Sequence, residues 1–306
     1  MTTTAAYGIH PAGYRLPAAL AVGAVRLQVG DLERSLAWYG EVLGLRVLSR
    51  DDAGRARVAR LAAHGDERVL VELRERPGAR PVPRRGRLGL YHFAILLPDR
   101  AALGRFVAHL GRIGERVGAS DHLVSEALYL HDPDGLGIEV YADRPREAWR
   151  THPEAEGPQL VMATEPLDVD AVVRAAGGAA WDGMPAGTVM GHVHLHVGDI
   201  AEARAFYHEA LGLDVVVWSY PGALFLSAGG YHHHLGLNTW AGPGALPAAE
   251  DEAKLLEWTL HLPSTDDVRA AARSLEAAGH AARDAANGAV TVADPWGTVL
   301  RLEAAG

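Results

Sequence analysis

The chain has 306 residues, with 38 acidic and 29 basic side chains, 16 histidines and no cysteine. Without cysteine, disulfides, thiolate nucleophiles, iron–sulfur clusters and cysteine-bound zinc are excluded, so a bound metal would need imidazole and carboxylate ligands. The net charge of −9 disfavours nucleic acid and anionic membranes as partners, and Lys254 is the single lysine, which nearly excludes Schiff-base chemistry.

The N-terminal segment 1–20 is expected to form an arm. It has no basic stretch followed by an apolar one, and no apolar run in the chain approaches the roughly 20 residues of a membrane span. We therefore expect a cytoplasmic protein. At about 100–200 residues per domain, the length predicts two domains or one large barrel.

The chain repeats itself after this arm. Residues 29–48 align with residues 197–216 with ten identities in twenty positions. In each copy an alternating apolar strand ends at Gly-Asp, the aspartate (Asp31 or Asp199) predicts a helix N-cap, and Leu-Gly-Leu closes the helix. The two copies therefore share one structural plan.

Two weaker copies complete the pattern. One leads into a helix predicted over residues 100–114, the other into a helix predicted over residues 265–278, and each ends in an Asp-Pro-x-Gly turn that feeds a last strand. The sequence thus predicts an α+β fold of four strand–helix–strand–strand–strand modules, each of about fifty residues. Modules one and two would form a domain over 21–145, and modules three and four a domain over 189–306.

The segment between modules two and three is predicted to be a linker, residues 146–188. It is rich in proline and contains one short helical stretch at 167–176.

The repeated Gly-Asp, helix and Leu-Gly-Leu unit, with the Asp-Pro-Asp-Gly turn before Glu139, resembles the vicinal oxygen chelate superfamily. That group includes glyoxalase I, antibiotic-resistance binding proteins and extradiol ring-cleaving dioxygenases. The resemblance covers residues 22–304, and four modules together with the His-rich run at 230–240 are most similar to the catechol 2,3-dioxygenase branch. It implies four βαβββ modules that form two domains of curled, half-barrel sheets.

The resemblance also implies where a metal would be held. Ring-cleaving members use one first-strand histidine from each of two paired modules and one last-strand glutamate. When the modules are aligned on their strand ends, modules two and three supply that set, which is His92, Glu139 and His192. Two imidazoles and one carboxylate suit non-haem Fe(II), and Mn(II) is an alternative.

The better-known members draw these ligands from modules three and four. Here the corresponding positions are Glu257 and Arg301, and a cation in a ligand position would repel a metal. We therefore infer that modules two and three form the cavity, and that modules one and four form the other pair.

Four further residues are implied to act in catalysis. Tyr129 lies ten residues before Glu139, as in ring-cleaving relatives, and His122 is a second donor to an oxygen atom, at a spacing two residues shorter than the family pattern. The acid/base histidine is expected just before the strand Leu-Gly-Leu at 235–237. Because side chains alternate along a strand, His233 is ranked first and His234 second.

The predicted function is an Fe(II)-dependent extradiol dioxygenase that acts on a small aromatic diol and O2. Two alternatives on the same fold are a glyoxalase-like metal-dependent isomerase or lyase, which His234 as a fourth ligand would favour, and a non-catalytic protein that binds an aromatic compound. The sequence leaves open the ring substituents, proximal or distal cleavage, the choice between Fe(II) and Mn(II), and whether the protein is a homo-oligomer.

Overall fold

The computed structural model describes residues 7–53, 56–83 and 85–305; residues 1–6 of the predicted arm lie outside this range. Four modules of strand, helix and three strands follow one another along the chain, so the predicted α+β fold is confirmed.

The elements of the first half belong to modules one and two. Module one contains β1 (Ala21–Val29), α1 (Leu32–Glu41), β2 (Arg46–Asp51), β3 (Val58–Ala62) and β4 (Val71–Glu75). Module two contains β5 (Arg87–Leu96), α2 (Arg100–Ile113), β6 (Gly118–Asp121), β7 (Ser125–His131) and β8 (Gly137–Asp143).

The linker has more structure than the sequence predicts, because a hairpin precedes its helix. It contains a 3-10 turn (Arg146–Ala148), β9 (Thr151–Glu154), β10 (Gly157–Leu160) and α3 (Val169–Ala175).

The second half repeats the plan of the first. Module three contains β11 (Val189–His196), α4 (Ile200–Arg204) with a π-helical continuation (Ala205–Ala210), β12 (Asp214–Val217), β13 (Ala223–Ser227), β14 (Leu235–Asn238) and β15 (Leu246–Pro247). Module four contains β16 (Lys254–Leu262), α5 (Thr265–Ala277), β17 (Arg283–Asp284), a 3-10 turn (Ala286–Gly288), β18 (Val290–Ala293) and β19 (Val299–Ala304). Among the described residues, no helix is both long and apolar enough to cross a membrane.

The modules pair across the two halves of the chain. One eight-stranded sheet has the order β17-β18-β19-β16-β1-β4-β3-β2 and joins modules four and one. The other has nine strands, in the order β12-β13-β14-β11-β5-β8-β7-β6 with β15 beside β5, and joins modules three and two. The inferred pairing is confirmed. Segments 21–145 and 189–306 each give one module to each sheet, and their boundaries as domains stay a prediction.

The helices begin where the sequence predicts, because each has a side chain that caps its first turn. The carboxylates of Asp31, Asp99 and Asp199 accept hydrogen bonds from the backbone N–H three residues later, at 3.0, 2.7 and 2.8 Å. In the Leu-Gly-Leu turn that follows α1, Gly44 has a φ of 68°, and a Cβ there would lie 2.6 Å from the Cα of Gly183.

A repeated hydrogen bond connects the two sheets. The hydroxyl of Tyr39, on α1 of module one, donates to Oδ2 of Asp132 in module two at 3.2 Å. The hydroxyl of Tyr207, in module three, donates to Oδ2 of Asp294 in module four at 2.9 Å. Both aspartates are buried, and their second oxygens accept backbone N–H groups of the Asp-Pro turn. Modules one and two lie in different sheets, as do modules three and four, and these hydrogen bonds join each of the two pairs.

Removing either tyrosine hydroxyl should destabilise the fold. We expect Tyr39→Phe and Tyr207→Phe each to lower the free energy of unfolding by about 1–3 kcal/mol, because a buried carboxylate loses a partner. Urea denaturation measures the change. Tyr14→Phe is the control, since its hydroxyl makes only a 3.4 Å contact with the carbonyl of Asp267. Equal stability of all three variants would contradict this role.

Candidate metal centre and active-site cavity

Three strands in the middle of the nine-stranded sheet bring the predicted metal ligands together. β5 pairs antiparallel with β11 and parallel with β8, so that Ala94 lies opposite both His192 and Glu139. His92, two residues before Ala94 on β5, shares this face. The small side chain of Ala94 leaves room for the three polar groups to meet above it. They are all buried, with exposed fractions of 5% for His92, 2% for Glu139 and 1% for His192.

The two imidazoles converge on one carboxylate oxygen. Nε2 of His92 lies 3.0 Å from Oε2 of Glu139, and Nε2 of His192 lies 3.1 Å from the same oxygen. One donor atom from each of the three residues lies within 4.8 Å of the others. Among the described residues, this is the cluster of His, Asp and Glu side chains whose geometry could hold a metal ion.

The donor set fits a divalent transition metal. Nε2 of His92 is buried and makes no hydrogen bond. It lies close to Glu139, but the direction of that contact does not allow a hydrogen bond. Such an orphaned nitrogen is costly unless it has another partner. Two ligand atoms at about 2.1 Å from one ion, on neighbouring coordination positions, are about 3 Å apart, which matches the contacts to Oε2.

The protonation states also suit a metal. Burial lowers the pKa of His92 and of His192, so both rings are neutral near pH 7 and each has a lone pair to donate. Burial alone would raise the pKa of Glu139, but the adjacent His192 and His92 rings outweigh it and hold the pKa well below its ordinary value. Neutral imidazoles and an ionised carboxylate are the forms that bind metal ions.

Tyr129 and His122 form a hydrogen-bonded pair at the same cavity. Nδ1 of His122 donates to the carbonyl of Ala163 at 2.7 Å, which leaves Nε2 to accept the Tyr129 hydroxyl at 2.6 Å. The next residue, Leu123, has a φ of 68°, stabilised by a hydrogen bond from its N–H to Asp121. This strained turn presents the His122 ring to the cavity. Burial raises the pKa of Tyr129 well above its ordinary value, so it stays protonated.

The three adjacent histidines have three different environments. His233 lines the cavity, and its ring centroid is 4.1 Å from that of His192. His232 is fully buried behind it. His234 is not in the cavity wall: its Nδ1 accepts the backbone N–H of Ala228 at 3.2 Å, and burial lowers its pKa to about 3. The three histidines lie just before β14 and not on the strand, so the alternation of side chains along a strand does not apply to them. His233 is nevertheless the one that reaches the cavity.

The cavity above the candidate ligands has a volume of about 230 Å³. Its wall combines the predicted polar residues with aromatic and apolar side chains, and none of the described residues that line it is lysine or arginine. Part of the wall comes from the linker, at residues 162–164. The backbone of Glu165 exchanges hydrogen bonds of 2.9 Å with Asp121, which extends the sheet at its β6 edge.

The sequence did not identify the residues that close this cavity. The linker residues Met162 and Thr164 carry no motif, and the hydroxyl of Thr164 meets that of Tyr220 across the cavity mouth at 3.1 Å. Tyr220 and Trp240, both from module three, also line the cavity. The hydrogen bond from His122 to the carbonyl of Ala163 and the backbone pairing of Glu165 with Asp121 hold this proline-rich segment here.

The corresponding region of the other sheet contains arginine among its carboxylates. Arg26 on β1 lies 2.5 Å from Glu72 on β4 and 3.2 Å from Glu257 on β16. Arg60 on β3 makes a second contact with Glu72 at 2.8 Å. These guanidinium groups neutralise the carboxylates without a metal ion.

The fold and the site together place the chain in a known family. The Glyoxalase/Bleomycin resistance protein/Dioxygenase superfamily model matches residues 21–140 and 189–302, and the chain belongs to this superfamily. It is 45% identical to the catechol-2,3-dioxygenase of Bacillus subtilis (strain 168) over 276 residues, which cover 90% of this chain and 93% of that protein.

Two further relatives show the breadth of the superfamily. The lactoylglutathione lyase of Neisseria meningitidis serogroup A is 31% identical over 118 residues, which cover 37% of this chain and 83% of the lyase. A solved structure from Bacillus subtilis superimposes with a TM-score of 0.63 at 13% identity, covering 94% of this chain and 86% of that one. The latter likeness shows the shared fold.

Substitution of the three candidate ligands tests the metal centre. We expect His92→Ala, Glu139→Ala and His192→Ala each to weaken metal retention by more than about tenfold, since a missing ligand costs at least as much as a missing supporting contact. Metal analysis of anaerobically purified protein measures the loss.

Glu257→Ala, in the other sheet, is the matched control and should keep the metal content of the unmodified protein. Loss of metal in the Glu257 variant, with retention in the other three, would move the site to the eight-stranded sheet.

Proposed function

We propose that the protein is an extradiol dioxygenase that opens a catecholic ring with O2 at a non-haem Fe(II) centre, with Mn(II) as the alternative metal. The observation that carries this proposal is the convergence of His92, Glu139 and His192 on one point in the wall of an aromatic cavity. Two imidazoles and one carboxylate on one side of an ion are typical of Fe(II) oxygenases. The similarity to a catechol-2,3-dioxygenase over most of the chain supports the same reaction.

The metal would be held by His92, Glu139 and His192, and when bound it would supply open coordination positions that bring a diol and O2 together and acidify the diol. The neighbouring residues would handle protons and orientation. The ring of His233, which contacts that of His192 at an interplanar angle of 45°, would take a proton from a substrate hydroxyl and later return one to a leaving oxygen. Burial holds the pKa of His233 well below its ordinary value, which favours the neutral, proton-accepting form.

Tyr129 and His122 would orient a substrate oxygen. The tyrosine hydroxyl is protonated and tied to Nε2 of His122, and that ring is in turn tied to the linker backbone. Because its one hydrogen is donated to His122, the Tyr129 oxygen would accept a hydrogen bond from a substrate hydroxyl, and an acceptor held in place in this way loses little entropy when the substrate binds. Because both residues line the cavity with Glu139, they face the same small volume as the candidate ligands.

The cavity limits the substrate class. A cavity of about 150 Å³ holds benzene, whereas drug-sized ligands need at least about 300 Å³. At about 230 Å³, this cavity suits a single aromatic ring with small substituents. Since none of its described lining residues is lysine or arginine, we propose that the substrate carries no carboxylate.

A glyoxalase-like isomerase is the second candidate, supported by the similarity of 118 residues, 37% of the chain, to a lactoylglutathione lyase. This alternative would gain from His234 as a fourth ligand. However, Nδ1 of His234 accepts a backbone N–H, and the residue is absent from the ligand cluster. The arrangement favours three protein ligands and therefore the dioxygenase.

An oxygen electrode tests the proposed reaction. Anaerobically prepared protein with Fe(II) should consume O2 with catechol or a methylcatechol and form a yellow ring-opened product, while a fused-ring diol should react poorly because the cavity is too small. Turnover only with Ni(II) or Zn(II), without O2 uptake, would instead indicate the isomerase. Tight binding of an aromatic compound by protein that retains no metal would indicate a binding protein.

The roles of the neighbouring histidines can be separated. We expect His233→Gln to lower kcat by about 10²–10⁴-fold, the usual contribution of general acid–base catalysis, while metal content is unchanged. His234→Gln should mainly lower thermal stability, because it removes the acceptor of a buried backbone N–H. Steady-state kinetics with metal analysis measures both. The reverse pattern would assign the acid/base role to His234.

A further inference from the structure

A chain of hydrogen bonds runs from His233 away from the cavity and ends on Asp143. Nδ1 of His233 lies 2.8 Å from Nδ1 of His232, and Nε2 of His232 lies 2.9 Å from Oδ1 of Asp143. The same carboxylate oxygen accepts the hydroxyl of Tyr231 at 3.1 Å. That hydroxyl oxygen is 2.7 Å from the hydroxyl of Tyr141, which therefore donates to it. Two chains of donors thus end on one carboxylate.

The directions of these bonds determine which ring nitrogens carry protons. A carboxylate only accepts, so Nε2 of His232 must carry the hydrogen that it shares with Asp143. In a neutral imidazole the other nitrogen is then an acceptor, and Nδ1 of His232 must receive a hydrogen from Nδ1 of His233. This leaves Nε2 of His233 with a free lone pair on a ring that lines the cavity.

We propose that Asp143 and His232 are positioning residues that hold His233 in the tautomer with Nδ1 protonated and Nε2 unprotonated. The proposal rests on the proposed function only for the use of that lone pair, which is to accept a proton from a substrate hydroxyl. The substrate O–H bond breaks and an Nε2–H bond forms. The resulting imidazolium still donates through Nδ1 to His232, at the end of a chain that carries the negative charge of Asp143.

The surroundings keep this chain in one arrangement. The His232 ring is fully buried, with ring centroids 4.1 Å from Tyr231 and 5.4 Å from Trp149. Tyr141 passes so close to β11 that a Cβ on Gly191 would lie 1.9 Å from its hydroxyl, so only glycine fits there. The Asp143 side chain is 30% exposed, which lessens the cost of its charge. The network is therefore packed tightly around His232 and Tyr141 and is exposed to solvent at Asp143.

Nuclear magnetic resonance of the histidine rings tests the tautomer directly. The sample is the full chain labelled with 15N-histidine and loaded with diamagnetic Zn(II), and His233→Gln assigns the signals. We expect His233 to show a protonated Nδ1 and an unprotonated Nε2. A His233 ring that is protonated at Nε2, or a doubly protonated His232, would overturn the proposal.

Asp143→Asn then tests the positioning role. The amide can turn its NH2 group towards His232, which reverses the chain and places a hydrogen on Nε2 of His233. We expect this tautomer to appear in the spectrum and kcat for catechol oxidation to fall by about 10- to 100-fold, with KM and metal content unchanged.

Glu126→Gln is the matched control. Glu126 lies on the neighbouring strand β7, pairs with Arg100 and Arg144, and is not part of the cavity wall. The control should keep both the wild-type tautomer and the wild-type kcat. An Asp143 variant with wild-type kcat, or with a kcat lowered no further than in the control, would overturn the proposal. Because the tautomer is measured without turnover, a failed catechol assay would count against the proposed function and leave this test intact.

Discussion

The antiparallel ladder between β5 and β11 is the contact on which the site depends. It is the seam between modules two and three, and its register places His192 opposite Ala94, with Glu139 on the other side of the same alanine. A slip of one residue would turn one histidine to the opposite face of the sheet, where the core lies. Val193 and Leu195, which alternate with the histidines of β11, are fully buried in that core and fix the register.

The two sheets share one fold, but they stabilise the negative charge of their carboxylates in different ways. In the eight-stranded sheet, Glu72 and Glu257 are neutralised by Arg26 and Arg60, cations that the protein supplies itself. In the nine-stranded sheet, Glu139 has only two neutral imidazoles beside it, and each of them, His92 and His192, has a buried nitrogen without a hydrogen bond. A buried charge needs a counter-charge, so this sheet is the one that gains from binding a cation. The two sheets have the same strand plan, and their side chains give them different roles.

The linker connects modules two and three, and it also forms part of the candidate active site. Its carbonyl at Ala163 fixes the His122 ring, and Thr164 contacts Tyr220 from the opposite side of the cavity mouth. The segment thus bridges the β6 edge and the β12–β13 turn, which lie far apart in the strand order. A change in the linker would alter both the size of the cavity and the orientation of the His122–Tyr129 pair, which couples substrate size to catalysis in this proposal.

The sequence by itself determined the local elements and the class of metal site. Asp31, Asp99 and Asp199 cap their helices because a side-chain oxygen three residues before a free N–H is a local interaction. Together with the ligand pattern that the family resemblance implies, the module alignment also singled out the residues that meet in the cavity, since equivalent strands place equivalent positions at equivalent points of a sheet. The absence of cysteine restricted any metal to the imidazole and carboxylate ligands that are found there.

Only the tertiary structure decided how these pieces act together. The hydrogen bond from His232 to Asp143 joins residues 89 positions apart in the chain, and the one from His122 to the linker carbonyl of Ala163 joins residues 41 positions apart. No periodicity or spacing encodes such contacts, because they depend on which sheet edges meet and on how the bends before β14 turn each ring. The orientation of three adjacent imidazoles was settled by packing against Asp143, His192 and Ala228, a long-range condition that the local sequence does not contain.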